Sequence, residues 1–215
     1  MSEKSYHHGD LKNALIQAGI KILAEEGLKG FSLRKVAREA GVTHSAPYAH
    51  FADKEALIAA ISTDGYQKIF RRFLAIQATY PDDILRQLIE TAWAYVSFGI
   101  EEPEHFKITF SASVERERAY PDLVEMASKT FNELKQLVLR CQRSGLIQSS
   151  DADLVAITLW SQVHGFVNLI HENMISHTVT DLYTRRSMMI HSLNHILLKP
   201  LTEDPADQSP LSKAA

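Results

Sequence analysis

Cysteine is almost missing from this chain: Cys141 is the only one in 215 residues. A single thiol excludes an internal disulfide and is ordinary in a reducing compartment. Strand-like alternation of apolar and polar residues is nearly absent, and glycine and proline are confined to a few places. No apolar run approaches the ~18 residues of a membrane span. The opening stretch MSEKSYHHGDLK holds no apolar segment of the kind a signal peptide needs. A helical, cytoplasmic protein without membrane contact is the expectation. An overall positive charge is lacking too, the formal net charge being -3. Its distribution is uneven, however. Residues 28–54 carry Lys29, Arg34, Lys35, Arg38 and Lys54 against Glu39 and Asp53, a local +3 that leaves -6 on the rest.

What is present is helical periodicity. Leu11, Ala14, Leu15, Ala18, Ile22 and Leu23 form one stripe over about residues 11–26, with Asp10 as a cap and Gly27 as a stop. Ser32 caps a short helix over 33–40 that ends at Gly41. A third helix is expected after Thr43, ending near His50, and a long fourth from Asp53 to Tyr80. Five more follow, at about 82–101, 103–112, 121–144, 151–176 and 180–199, with Ser150 and Asp153 as a capping box for the fourth of these. The expectation is an all-α protein of about nine helices.

The pair of short helices joined by Ala40-Gly41-Val42 meets the demands of a helix-turn-helix. Ala37 is small where the helices approach, Gly41 tolerates positive φ, and Val42 anchors the turn. Thr43, His44 and Ser45 offer polar groups at the start of the second helix, where base edges are read. An ordinary helical hairpin satisfies the same spacing.

The stretch LIQAGIKILAEEGLKGFSLRKVAREAGVTHSAPYAHFADKEAL resembles the DNA-binding domain of the TetR family of transcriptional regulators. The features that carry it are Gly27, Ser32-Leu33, Val36-Ala37, Ala40-Gly41-Val42, Tyr48, His50-Phe51 and Asp53-Lys54-Glu55-Ala56-Leu57. Trp160 to Gly165, WSQVHG, resembles a Trp-x-x-x-His-Gly signature of a subset of these regulators. The resemblance implies a helix-turn-helix domain over residues 1–52, a helical ligand-binding and dimerisation domain over 53–199, and a disordered tail over 200–215. It implies that Ser32 and Arg34 touch phosphate and that Thr43, His44, Ser45 and Ala46 lie at the major groove. Tyr48 and His50 would reach phosphate or bases, and Lys54 would clamp a further phosphate. Phe51 is expected as a core plug. Tyr6, His7 and His8 are either a DNA-contacting arm or a floppy leader.

Pro47 falls inside the expected third helix, where the family commonly has leucine. With Thr43 as the cap, proline forfeits only the first intrahelical hydrogen bond, to the Thr43 carbonyl. Its ring is left to plug the core, while Ala46 is biased away from helical geometry.

Farther along, the helix holding Trp160 is apolar on two sides. Trp160, Val163, His164, Val167, Ile170 and Met174 form one stripe, and Leu159, Phe166 and Leu169 another. Given the resemblance, one stripe is assigned to a cavity and the other to a homodimer contact, with Met189, Leu193 and Ile196 adding to that contact. Phe70, Trp93, Phe106, Phe110, Phe131 and Trp160, with His164 as the polar anchor, are the candidate lining for a small apolar effector. Gly65 is a candidate bend in the fourth helix. His191 and His195 are spaced i, i+4 but lack a third ligand, so no metal or other cofactor is expected. No nucleophile motif, phosphate loop or carboxylate pair marks an enzyme. The alternative to an effector-released repressor of a palindromic operator is a DNA-binding architectural or division-type factor without a ligand.

Overall fold

The computed structural model describes residues 11–111 and 120–199. Asp10, the arm residues Tyr6, His7 and His8, and the expected tail 200–215 lie outside the described residues. Within these there are nine α-helices and one 3-10 helix: α1 (Leu11–Gly30), α2 (Leu33–Glu39), the 3-10 helix (Ala46–Ala49), α3 (Lys54–Thr79), α4 (Ile84–Glu101), α5 (Pro103–Thr109), α6 (Pro121–Arg143), α7 (Ala152–His171), α8 (His177–Thr180) and α9 (Arg185–Leu193). None is long and apolar enough to cross a membrane. The all-α expectation holds.

The chain divides into two compact units. Residues 11–67 with 102–111 and 120–127 make the first, and residues 68–101 with 128–199 the second. Thus α5 belongs with the helix-turn-helix, across the division expected at residue 52. Its Ile108 sits in the same apolar cluster as Leu15, Ile22, Phe31, Val36, Phe51, Leu57 and Ile61.

The α3–α5 contact is close. A Cβ on Gly65 would stand 2.9 Å from Cβ and Cγ2 of Thr109. The contact is fastened by polar groups: Ser62 Oγ donates to the Ile108 carbonyl at 3.1 Å, and His105 Nε2 lies 3.0 Å from the Ile61 carbonyl. Gly65 therefore serves helix packing.

Two glycines carry the turns of the first unit. Gly27 adopts φ 65° and breaks α1 after Glu26, and Gly41 adopts φ 69° after α2. Gly41 closes a Schellman-type end, with Val42 N–H donating to the Ala37 carbonyl at 2.9 Å.

In the second unit, the helix expected over 151–176 ends earlier, at His171, and Asn173 takes a positive φ of 51°. The cap is Asp151 rather than Ser150, its carboxylate accepting from Asp153 and Leu154 N–H. The helix expected over 180–199 is only α9, capped by Thr184. Met189 and Leu193, expected at a dimer contact, are each 1% exposed within the subunit. They pack α9 into the core formed with α4 and α7.

Candidate functional site

The segment after Gly41 departs from an α-helix. Proline has no N–H to return to the Thr43 carbonyl, so Ala46 N–H takes that acceptor instead, three residues on, at 3.1 Å. Tyr48 N–H then reaches Ser45 O and His50 N–H reaches Pro47 O, again at i+3 spacing. The result is the tight 3-10 helix Ala46–Ala49. Thr43 is not an N-cap, as it was expected to be; its hydroxyl lies 3.2 Å from that of Ser45.

Pro47 is buried, as the plug reading required, and Phe51 is 3% exposed. With these two residues facing the core, Thr43, His44, Ser45, Tyr48 and His50 stand exposed, Tyr48 at 61%. Ala46 is half-buried. Ser32 caps α2 by accepting from Lys35 N–H, while Arg34 and Arg38 are exposed. Lys35 pairs with Glu26, and Lys21 with Glu39. Lys54 lies over the Phe31 ring, 5.7 Å from its centroid, and its ammonium donates to the Leu28 carbonyl at 2.6 Å. That contact locks the end of α1 against the start of α3, a role the sequence reading missed. The ammonium keeps two further N–H groups beyond that bond.

The expected effector residues fall in both units. Phe106 and Phe110 lie in the first unit, with ring centroids 4.8 Å apart and Tyr66 edge-on to Phe110 at 5.3 Å. In the second unit, Phe131, Trp160 and His164 form a run of tilted and edge-on rings at 6.2–6.3 Å. Trp93 lies instead beneath the Arg186 guanidinium at 5.6 Å, and Arg186 pairs with Glu90 at 2.9 Å. Phe70 is half-buried in the same unit.

The residue missed in this cluster is Tyr95, 5% exposed on α4. Trp160 Nε1–H donates to the Tyr95 hydroxyl at 2.8 Å, and that hydroxyl lies 2.8 Å from His164 Nδ1. Indole N–H only donates, so the hydroxyl accepts it and keeps a second lone pair and its own hydrogen for the contact with Nδ1. The Trp-x-x-x-His spacing has a local reason: residues one turn apart on α7 grip the same hydroxyl on α4. A phenol in the otherwise apolar AWAYVSF was the available signal.

Burial, and secondly the charge of His171, lower the His164 pKa below its ordinary 6.5. The folded protein thus binds fewer protons here than the unfolded chain. Stability from this group is complete above 6.5 and is lost as pH falls through the folded value. Thermal melts of the His164→Gln variant between pH 7 and 5 should therefore fall less steeply than those of the native protein. Parallel slopes would refute the lowered pKa.

Comparison with known proteins bears on both units. Residues 15–61 match the family model described as bacterial regulatory proteins, tetR family. Residues 88–193 match the tetracyclin repressor-like C-terminal domain. The HTH-type transcriptional regulator AcrR of Shigella flexneri is 31% identical over 81 residues, which span 38% of this chain and 38% of that regulator. A solved structure from Rhodococcus sp. RHA1, of a protein of unknown function, is 27% identical with a TM-score of 0.72, covering 88% of this chain and 95% of that one. The fatty acid degradation regulator FadR of Bacillus halodurans shares the fold at 17% identity and a TM-score of 0.67, covering 87% and 94%.

Proposed function

Since this chain belongs to the tetR family of bacterial regulatory proteins, whose members are transcriptional regulators and not enzymes, we propose that it is a dimeric repressor released from a near-palindromic operator by a small-molecule effector. The observation that carries the DNA half is the exposed row Thr43, His44, Ser45, Tyr48 and His50, held outward by buried Pro47 and Phe51. These side chains meet base edges and nearby phosphates, and Ser32, Arg34 and Lys54 add phosphate contacts that set register. Two such segments in a dimer fall about 34–36 Å apart, one turn of duplex.

For the dimer, the outward face of α7 is the contact, without Met189 and Leu193. Leu154, Ile157, Ser161, Gly165 and Leu169 are exposed on it. Nothing lies within 4 Å of a Cβ built on Gly165. A glycine inside a helix is destabilising by about 1 kcal/mol relative to alanine, and close approach of a second copy is a reason to keep it.

The effector is assigned to the second unit beside Phe131, Trp160 and His164. Its hydrogen bond from His164 runs through Nε2, because Nδ1 is taken by Tyr95. Effector binding favours a subunit geometry that moves the two reading segments out of register. DNA and effector then weaken each other's binding equally. A second reading, a DNA-binding factor without an effector, is favoured by one observation: the polar atoms of Trp160 and His164 Nδ1 are spent on clamping α4 to α7.

Selection from random DNA should return dyad-symmetric sites. His44→Ala should relax base preference by roughly 1–3 kcal/mol at one position of each half-site, measured by competition binding. Sites without dyad symmetry, or an unchanged preference, would sink the operator model. Gly165→Leu should give monomers in sedimentation and weaken operator binding.

A further inference from the structure

The inner face of α4 carries a polar row. Gln87, Thr91 and Tyr95 lie four residues apart and are 2%, 5% and 5% exposed. At 1.5 Å per residue the row runs about 12 Å along the helix. At one end, Tyr95 is satisfied by Trp160 and His164. At the other, Gln87 Nε2 donates to the Tyr80 carbonyl at 2.7 Å, while its Oε1 is buried without a partner. Across from it on α6, Arg140 Nε is also buried without a partner, and Nη2 of the same guanidinium lies 3.5 Å from Glu133 Oε1.

Gln87 and Arg140 line one cavity with Phe73, Gln77, Thr91, Glu133 and Leu137. Its volume of about 10 Å³ admits a single water-sized group. The two open positions are complementary. Gln87 Oε1 needs a donor, and Arg140 Nε–H needs an acceptor. A carboxylate only accepts and an ammonium only donates; a hydroxyl oxygen does both from one atom of that size. With Glu133 beside Arg140, the group need not be charged.

We propose that this cavity is a specificity subsite for a hydroxyl of the effector. The inference rests on the reading of the second unit as an effector domain, and it adds a polar requirement to an effector otherwise held by aromatic rings. Water has the same chemistry. The experiment separates an effector hydroxyl from an isolated water.

Phenol, anisole and toluene, similar in size, are titrated into the full-length protein by calorimetry. The Arg140 Nε–H resonance is followed in parallel by NMR. Phenol should bind at least about tenfold more tightly than the other two and shift that resonance. Gln87→Met and Arg140→Lys, the second keeping the charge beside Glu133 should the first fail to fold, should each bring phenol down to the level of toluene. Equal binding of phenol and toluene overturns the subsite. So does an Arg140 resonance that phenol leaves unmoved, as it would over a resident water. Operator release is measured separately. Phenol bound at Arg140 with DNA still held supports the subsite and overturns the effector reading. Release of DNA by phenol and toluene alike supports the effector reading and overturns the subsite.

Discussion

Leu193→Lys should unfold the second unit rather than separate two subunits. Leu193 is 1% exposed on α9, beside Met189 at 1% and Ile190 at 6%. Replacing it removes a buried branched side chain, a loss of about 2–5 kcal/mol by itself. It also places an ammonium where the surroundings are apolar, which adds further cost unless the group sheds its proton. Against a total stability of about 5–15 kcal/mol, the sum takes most of what the domain has. At roughly 2–4 °C per kcal/mol for a chain of this size, the melting point should drop by about 10 °C or more, with loss of helical circular dichroism. Sedimentation distinguishes the alternative. A variant that melts like the native protein but runs as a monomer would put Leu193 at the subunit contact and overturn the assignment of α9 to the intramolecular core.

Gly65→Ala should destabilise the first unit, although glycine to alanine inside a helix ordinarily stabilises by about 1 kcal/mol. The sign is the informative part. The new Cβ would press on Cβ and Cγ2 of Thr109 at 2.9 Å. Those atoms are poorly placed to retreat: Thr109 Oγ1 donates to the His105 carbonyl at 2.8 Å, and His105 itself lies 3.0 Å from the Ile61 carbonyl on α3. Separating the helices breaks these contacts, so overpacking of about 1–3 kcal/mol outweighs the propensity gain. Gly165→Ala is the control. Its Cβ meets nothing within 4 Å, so the isolated subunit should gain stability. Thr109→Ala should relieve part of the Gly65→Ala defect in a double-mutant cycle measured by denaturant titration. Equal effects at the two glycines would refute the close α3–α5 contact.

The helical fold was legible because period, caps and breakers agree locally. Ser32, Gly27, Gly41 and Asp53 act at or beside their own positions, and each does what its residue type requires. Legibility failed where a distant partner decides. Leu193 reads as an interface residue from periodicity and the family resemblance together, and only the packing of α4 and α7 makes it internal. Gly65 carries no packing signal in the sequence, and its close neighbour Thr109 lies on another helix. Trp160 and His164 were found as a motif, but their common partner lies 65 residues or more earlier, and no spacing along the chain reveals it. Lys54 was given one role from its charge, while the structure shows another through the Leu28 carbonyl. Pro47 was read correctly as a plug. Its effect on the turn was underestimated because the lost bond was counted without asking which N–H would take the vacated acceptor.

The 3-10 turn at Pro47 changes the arithmetic of reading. Three residues per turn bring every third side chain into one column, at a rise of about 2.0 Å per residue. Ser45 stands above Tyr48, and Ala46 above Ala49; the third column begins with buried Pro47 and ends at exposed His50. A full α-helix would fan its side chains around the groove. On the proposed reading, the polar groups of the turn itself stand in narrow columns beside a strip of Ala46 and Ala49, with Thr43 and His44 ahead of it. Such a surface has a small alphabet. It can hold a few positions strictly and must leave their neighbours to the stiffness and groove width of the DNA itself, so tolerated sites should differ from one another mainly between the columns' footprints.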